Sequence, residues 1–187
     1  MEFDTPKIIS IELTNSGYKK ETLRQVGYMH EKLVNKILRE IITIREVKGI
    51  EFIVYGWKSS DMRYGRFIQR IEGRLRKIRI FEAKYIERGL PEQTGKKIPC
   101  KRLLSVLTVL WDGSCVKCAN DITGQHVIGN LNKSTIWGIW NNSRNRDLRV
   151  NAQNLEEMDF CKKCKFNRME EYGGAKSVSN TNVLEKV

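Results

Sequence analysis

The chemistry available to this sequence is concentrated in five cysteines: Cys100, Cys115, Cys118, Cys161 and Cys164. Thiolates are soft donors, so four drawn together suit an iron–sulfur cluster or a structural zinc. Two sets of four can be composed. Cys100, Cys118, Cys161 and Cys164 would close three distant segments on one cluster. Cys115, Cys118, Cys161 and Cys164 would instead form a pair of Cys-x-x-Cys zinc knuckles. Residues 119–160 separate those knuckles, a longer interval than the roughly 15–20 residues of a compact zinc ribbon. Zinc also leaves Cys100 without a role, and on a regular strand Cys115 and Cys118 point to opposite faces. A third reading has the thiols packed as small apolar side chains. Cys115 suits a packed or free thiol better than a ligand.

Little else in the sequence singles out chemistry. There is no Ser/His/Asp pattern, no phosphate-binding glycine loop and no paired-carboxylate motif, so hydrolase and kinase readings have no support. His126 belongs to a polar turn and His30 to a helix start, and neither is assigned a role. Asp112 is a turn residue, and Trp137 and Trp140 read as the apolar side of a helix. The formal net charge of +12 favours acidic partners such as nucleic acid or an acidic peptide. The basic residues are spread over both halves of the chain, the pattern of a solvated face. Arg74, Arg76, Lys77 and Arg79 fit that face, or a guide for an acidic substrate.

The elements that position the cysteines follow from hydrophobic periodicity. Residues 7–13 read as a buried strand rich in Ile, and residues 28–47 as a helix. That helix turns Leu33, Val34, Ile37, Leu38 and Ile41 inward, with Glu31, Lys32, Lys36, Arg39 and Glu40 on the other side. Residues 50–55 make a second strand, a helix begins at Ser60 or Asp61 and continues to about Leu75, and residues 77–81 make a third strand. Strands joined by helical crossovers imply parallel pairing, an α/β layer. Residues 84–99 read as a linker. Beyond it, residues 103–111 form a strand, Asp112-Gly113 a tight hairpin turn and residues 114–118 the return. A second turn spans 121–126, a short strand 127–131, and a helix capped by Ser134 or Thr135 runs to about Arg149. Residues 156–166 read as a loop holding the last cysteine pair, and the chain after Gly173 as a frayed tail.

With 187 residues, of which 40% are hydrophobic, the chain can bury a core as one domain or two small ones. No apolar run approaches the roughly 20 residues needed to cross a bilayer. The first residues lack the basic and apolar regions of a signal peptide. A reducing, cytoplasmic location is therefore expected, where clustered cysteines serve as ligands more often than as disulfides.

The order Cys100, Asp112-Gly113, Cys118, Asp121, Gly129-Asn130, Trp137-x-x-Trp140, Leu148-Arg149, Cys161-x-x-Cys164 resembles the SPASM domain of radical SAM enzymes across residues 98–168. Full SPASM domains carry further cysteines beyond the Cys-x-x-Cys and bind two auxiliary clusters. Here none follows Cys164, so the pattern is similar to the shortened, single-cluster twitch version. The resemblance implies one auxiliary 4Fe–4S cluster on Cys100, Cys118, Cys161 and Cys164, placed on the substrate side of a barrel. It further implies that residues 1–97 are the later βα units of a partial, TIM-type radical SAM barrel. Residues 98–170 would then be a small α+β auxiliary-cluster domain, and 171–187 a flexible tail. The family's SAM-cleaving Cys-x-x-x-Cys-x-x-Cys has no counterpart, because no cysteine precedes Cys100. SAM and its cluster are accordingly expected only if an N-terminal part supplies them, and the chain alone is not expected to cleave SAM. The implied partners are an upstream half-barrel chain, an electron donor protein, and an acidic peptide or small-molecule substrate. The alternative is a zinc-binding, basic nucleic-acid module built on Cys115, Cys118, Cys161 and Cys164.

Overall fold

The computed structural model describes residues 5–14, 25, 27–48, 50–55, 65, 69, 78–80, 100–118, 121, 123–153 and 161. Among these, six strands form one sheet: β1 (Ile8–Glu12), β2 (Glu51–Tyr55), β3 (Ile78–Ile80), β4 (Val106–Val109), β5 (Ser114–Val116) and β6 (Val127–Asn130). Their order across the sheet is β3-β2-β1-β4-β5-β6. The parallel pairing expected of helical crossovers is present, with Ile9 beside Phe52 and Phe52 beside Ile78. The first strand and the strand over residues 50–55 form within a residue or two of their expected limits. Of the helix expected between residues 60 and 75, Gly65 and Gln69 are described, and both are helical. The expected linker, the tail and the rest of that helix lie outside the described residues.

β1 also pairs in parallel with β4, Ile9 beside Leu107. One sheet thus runs from the βα units into the cysteine-bearing segment. β4, β5 and β6 then form an antiparallel meander, with Val109 opposite Cys115 and Cys115 opposite Gly129. The hairpin turn falls at Asp112-Gly113 as the sequence implied. Gly113 has a φ of 85°, a conformation that costs any side chain with a Cβ. Asp112 accepts bonds from the Ser114 backbone and hydroxyl, closing the turn.

Alternation along the strands decides where the core sits. Ile9, Ile11, Phe52, Val54, Leu107, Val109 and Cys115 join Leu33, Val34, Ile37, Leu38 and Ile41 of α1 (Glu31–Lys48) in the main apolar cluster. His30 starts that helix: its carbonyl accepts from the Leu33 and Val34 amides, and its Nδ1 from Lys32 N. The polar side of α1 is not wholly solvent-facing. Lys36 Nζ donates to the carbonyls of Leu131 and Ser134, and Glu40 Oε2 accepts from the Ile136 amide at 2.6 Å. The two side chains tie α1 to the corner that follows β6.

Two further expectations are corrected. The strand expected over residues 103–111 begins instead as a helical turn, α2 (Lys101–Ser105), because Cys100 caps it and the Leu104 amide bonds back to the Cys100 carbonyl. The single helix expected from Ser134 to Arg149 is two: α3 (Ile136–Trp140), capped by Thr135, and α4 (Ser143–Val150), capped by Asn142. Asn142 Oδ1 takes the Asn145 amide at 2.7 Å, starting a new helix where the first would continue. No described helix is long and apolar enough to cross a membrane.

Candidate metal centre

Cys100 stands at the start of α2, and its Sγ accepts the Leu103 amide at 3.4 Å. Its neighbours are apolar. Cys100, Leu103, Ala152 and Cys161 form a second buried cluster, with Leu104 and Leu148 packed on it. Cys100 is 7% exposed and Cys161 is 8% exposed. The structure therefore brings together two thiols separated by most of the C-terminal half. Cys161 is helical, where a loop was expected, and Cys164 lies outside the described residues.

Cys118 reaches the same end of the sheet by register. Thr108 pairs with Val116 across the β4–β5 hairpin. β5 ends at Val116, and Cys118 follows two residues beyond, on the side of the hairpin away from its turn. Cys118 is half-buried. Asp121 shapes the turn that follows it. Its carboxylate accepts from Thr123 Oγ1, Gln125 N and His126 N, the last at 2.7 Å, while its own amide donates to the Cys118 carbonyl at 3.0 Å. Asp121 is buried and holds the turn that returns the chain to β6. Nearby, His126 has its proton affinity lowered, first by burial and then by Lys117, against the opposing charge of Asp121.

Cys115 is elsewhere. It is fully buried in the main core under α1, and its Sγ lies 3.9 Å from the Gly113 carbonyl. Burial, reinforced by the negative charges of Asp112 and Glu40, pushes its thiol far above the ordinary value of 9.0. A thiol so placed stays protonated and inert. A packed thiol was the expectation for Cys115.

Around the centre, α3 and α4 are locked by the Trp140 carbonyl. It accepts from Asn145 Nδ2 at 3.0 Å and from Arg149 Nη1 at 2.6 Å, and the Arg149 guanidinium stacks 4.3 Å over the Trp140 ring. Burial lowers the proton affinity of Arg149, with Arg146 adding to the effect. Leu148 packs on both apolar clusters, so α4 bridges core and thiols. Of the two tryptophans read as core, Trp140 is buried and Trp137 is exposed. Among the described residues no three Cys, His, Asp or Glu side chains stand together as a metal site.

The sheet thus carries Cys100 and Cys161 in one apolar cluster beside α2. Residues 100–165 match the family model of SPASM, the iron–sulfur cluster-binding domain. The match falls on the stretch whose order of cysteines and turns resembles that domain. No curated protein matches the chain. Two solved structures are similar in fold. BtrN in an open conformation has a TM-score of 0.59 at 14% identity, covering 88% of this chain and 94% of that one. BtrN in complex with AdoMet and 2-DOIA has a TM-score of 0.54 at 13% identity, covering 86% and 93%.

The residues fit an iron–sulfur cluster. Cys100 and Cys161 lie in a shared apolar shell, and Cys100 already takes a backbone N–H, a bond of the kind that tunes cluster sulfurs. Sequence reasoning found these thiols and missed the polar groups along β1, Ser10 and Glu12. The signal was present as polar residues alternating with Ile in a strand read as buried and rich in Ile.

Proposed function

We propose that this chain is the auxiliary-cluster portion of a radical SAM/SPASM protein, with Cys100, Cys118, Cys161 and Cys164 holding one 4Fe–4S cluster. The observation that carries this reading is the shared burial of Cys100 and Cys161, with Cys118 brought by the hairpin to the same end of the sheet. A bound cluster would supply one-electron chemistry, or support for the fold on the substrate side. The chain's own part is to exclude water around Cys100 and Cys161 and to fix the Cys118 turn through Asp121. SAM cleavage depends on a segment or partner chain carrying the Cys-x-x-x-Cys-x-x-Cys triad. The similarity to a BtrN structure holding AdoMet supports that association. An electron donor protein and an acidic peptide or small-molecule substrate complete the reading, with a cytoplasmic setting. The zinc alternative needs Cys115, whose place inside the core weighs against it.

The test is iron, sulfide and zinc analysis of protein purified without oxygen, with a visible spectrum. About four irons and four sulfides per chain and a brown absorbance that fades on reduction are expected. Cys100→Ser should abolish the colour and Cys115→Ser should keep it. One zinc with no iron, or the reverse response of the two variants, would overturn the proposal.

A further inference from the structure

The helix packed on the buried thiols is α4. Towards its C-terminal end it sets Leu148 on the apolar cluster of Cys100 and Cys161, and Ala152, just beyond it, is part of that cluster. Towards its N-terminal end it reaches the turn after Cys118, where Arg144 adds to burial and Lys117 in lowering the proton affinity of His126, against Asp121. A helix with its side chains is about 10–12 Å across. The outer side of α4 is therefore a single helix layer from Cys100 and Cys161.

That outer side is exposed and basic. Asn145 and Arg149 are buried, and at 3.6 residues per turn the arc opposite them runs from Arg146 through Val150, Ser143 and Asp147 to Arg144. Arg144 and Arg146 are exposed, and neither guanidinium has an ion pair among the described residues. Asp147 is the helix's acid, against Arg144, Arg146 and Arg149. Arg146 also adds to burial in lowering the proton affinity of Arg149, a sign of crowded positive charge. Val150, on the arc beside Arg146, is 78% exposed. Every base of α4 is arginine and none is lysine. Arginine is enriched in protein contacts and lysine depleted, and an apolar residue inside a polar rim is the usual layout of such a contact.

Size and charge specify the partner. Electron-transfer encounters use small interfaces and are steered by opposite charge. We propose that the outer face of α4, with Arg144, Arg146 and Val150, is the docking surface for an acidic one-electron donor protein. One electron passes across α4, the donor being oxidised and the cluster reduced, and no bond forms or breaks. The inference rests on the proposed function for the cluster beneath the helix, and it adds the surface and the charge of the donor.

The experiment uses the full chain purified without oxygen, with a reduced plant-type ferredoxin as the acidic donor and dithionite as a reductant too small to need docking. Calorimetry measures ferredoxin binding and stopped-flow absorbance the rate of reduction. Arg144→Gln/Arg146→Gln should lower both by about tenfold at low salt and flatten their fall with added salt. Asp147→Asn, on the same arc, should raise both. Val150→Ser should weaken binding at high salt as well as low. Dithionite reduction, iron content and melting temperature should match the parent in every variant. Unchanged ferredoxin binding in the double variant, equal slowing with dithionite, or equally tight binding of an acidic protein without a redox centre would overturn the proposal. Iron without ferredoxin binding refutes the docking surface alone. Arginine-dependent ferredoxin binding without iron refutes the cluster alone.

Discussion

Removing Glu40 tests how the sheet's two halves are held together. Its Oε2 accepts the Ile136 amide at 2.6 Å, and its Oε1 lies 3.8 Å from Lys36 Nζ. The two contributions differ in size. The ion pair is partly exposed, at 32% and 18% for the two side chains, and such pairs contribute about 0.2–1 kcal/mol. The bond from a backbone N–H to a carboxylate is charge-assisted and contributes about 1.5–3 kcal/mol. Glu40→Ala should therefore destabilise by about 2–3 kcal/mol, chiefly by leaving the first amide of α3 unpaired. For a chain of this size that lowers the melting temperature by about 4–12 °C. Glu40→Gln keeps an acceptor for Ile136 and should cost less than about 1.5 kcal/mol. Urea unfolding followed by tryptophan fluorescence measures both. A double-mutant cycle with Lys36→Ala should return a coupling below about 1 kcal/mol. Equal losses for Ala and Gln, or a coupling above about 2 kcal/mol, would show that charge pairing dominates and refute the argument.

Cys115 should resist thiol reagents in native protein while reacting on unfolding, measured by labelling with a chromogenic disulfide. Its raised proton affinity also makes stability fall as pH climbs above about 9, where the unfolded thiol ionises and the folded one does not. Cys115→Ala should flatten that alkaline loss in urea titrations across pH 8–10.5. Gly129→Ala should destabilise by about 1–3 kcal/mol, because a Cβ there would stand 2.8 Å from the Ile139 side chain. Thermal melts measure the loss, and an unchanged midpoint would mean that the Ile139 side chain gives way without cost. Arg149→Lys should lose about 1–2 kcal/mol, since an ammonium can keep one bond to the Trp140 carbonyl but not the stacked guanidinium geometry. Circular dichroism melts would show it, and an unchanged midpoint would remove the stack from the account.

The parallel strands and the hairpin were legible in the sequence because their signals are local. A run of Ile bounded by polar residues marks β1, and Asp112-Gly113 marks a turn whatever surrounds it. The division of the last helix was legible in principle, since Asn141-Asn142 offers a cap, yet the apolar spacing on either side continues through it. The pairing of β1 with β4 is different. It joins residues nearly a hundred positions apart, and neither strand's composition names its neighbour. Lys36 and Glu40 look like solvated helix charges until the corner after β6 is set against them. For the thiols, spacing and turn chemistry together pointed to Cys100 over Cys115. Strand alternation leaves Cys115 facing α1 in the main core.

The position of β1 between β2 and β4 has a consequence for how the chain is made. β1, α1 and β2 precede β4 in the chain, so they leave the ribosome while the edge of β1 that β4 covers is still open. That edge is occupied only when residues 106–109 follow. Until then the nascent chain presents Ile9 and Ile11 beside an open ladder, a template for pairing with another copy. Closure also brings the long-range contact that slows sheet formation most. A ribosome stalled between residues 60 and 100 should thus hold a species prone to self-association, and release of the hairpin should be the step that makes the chain soluble.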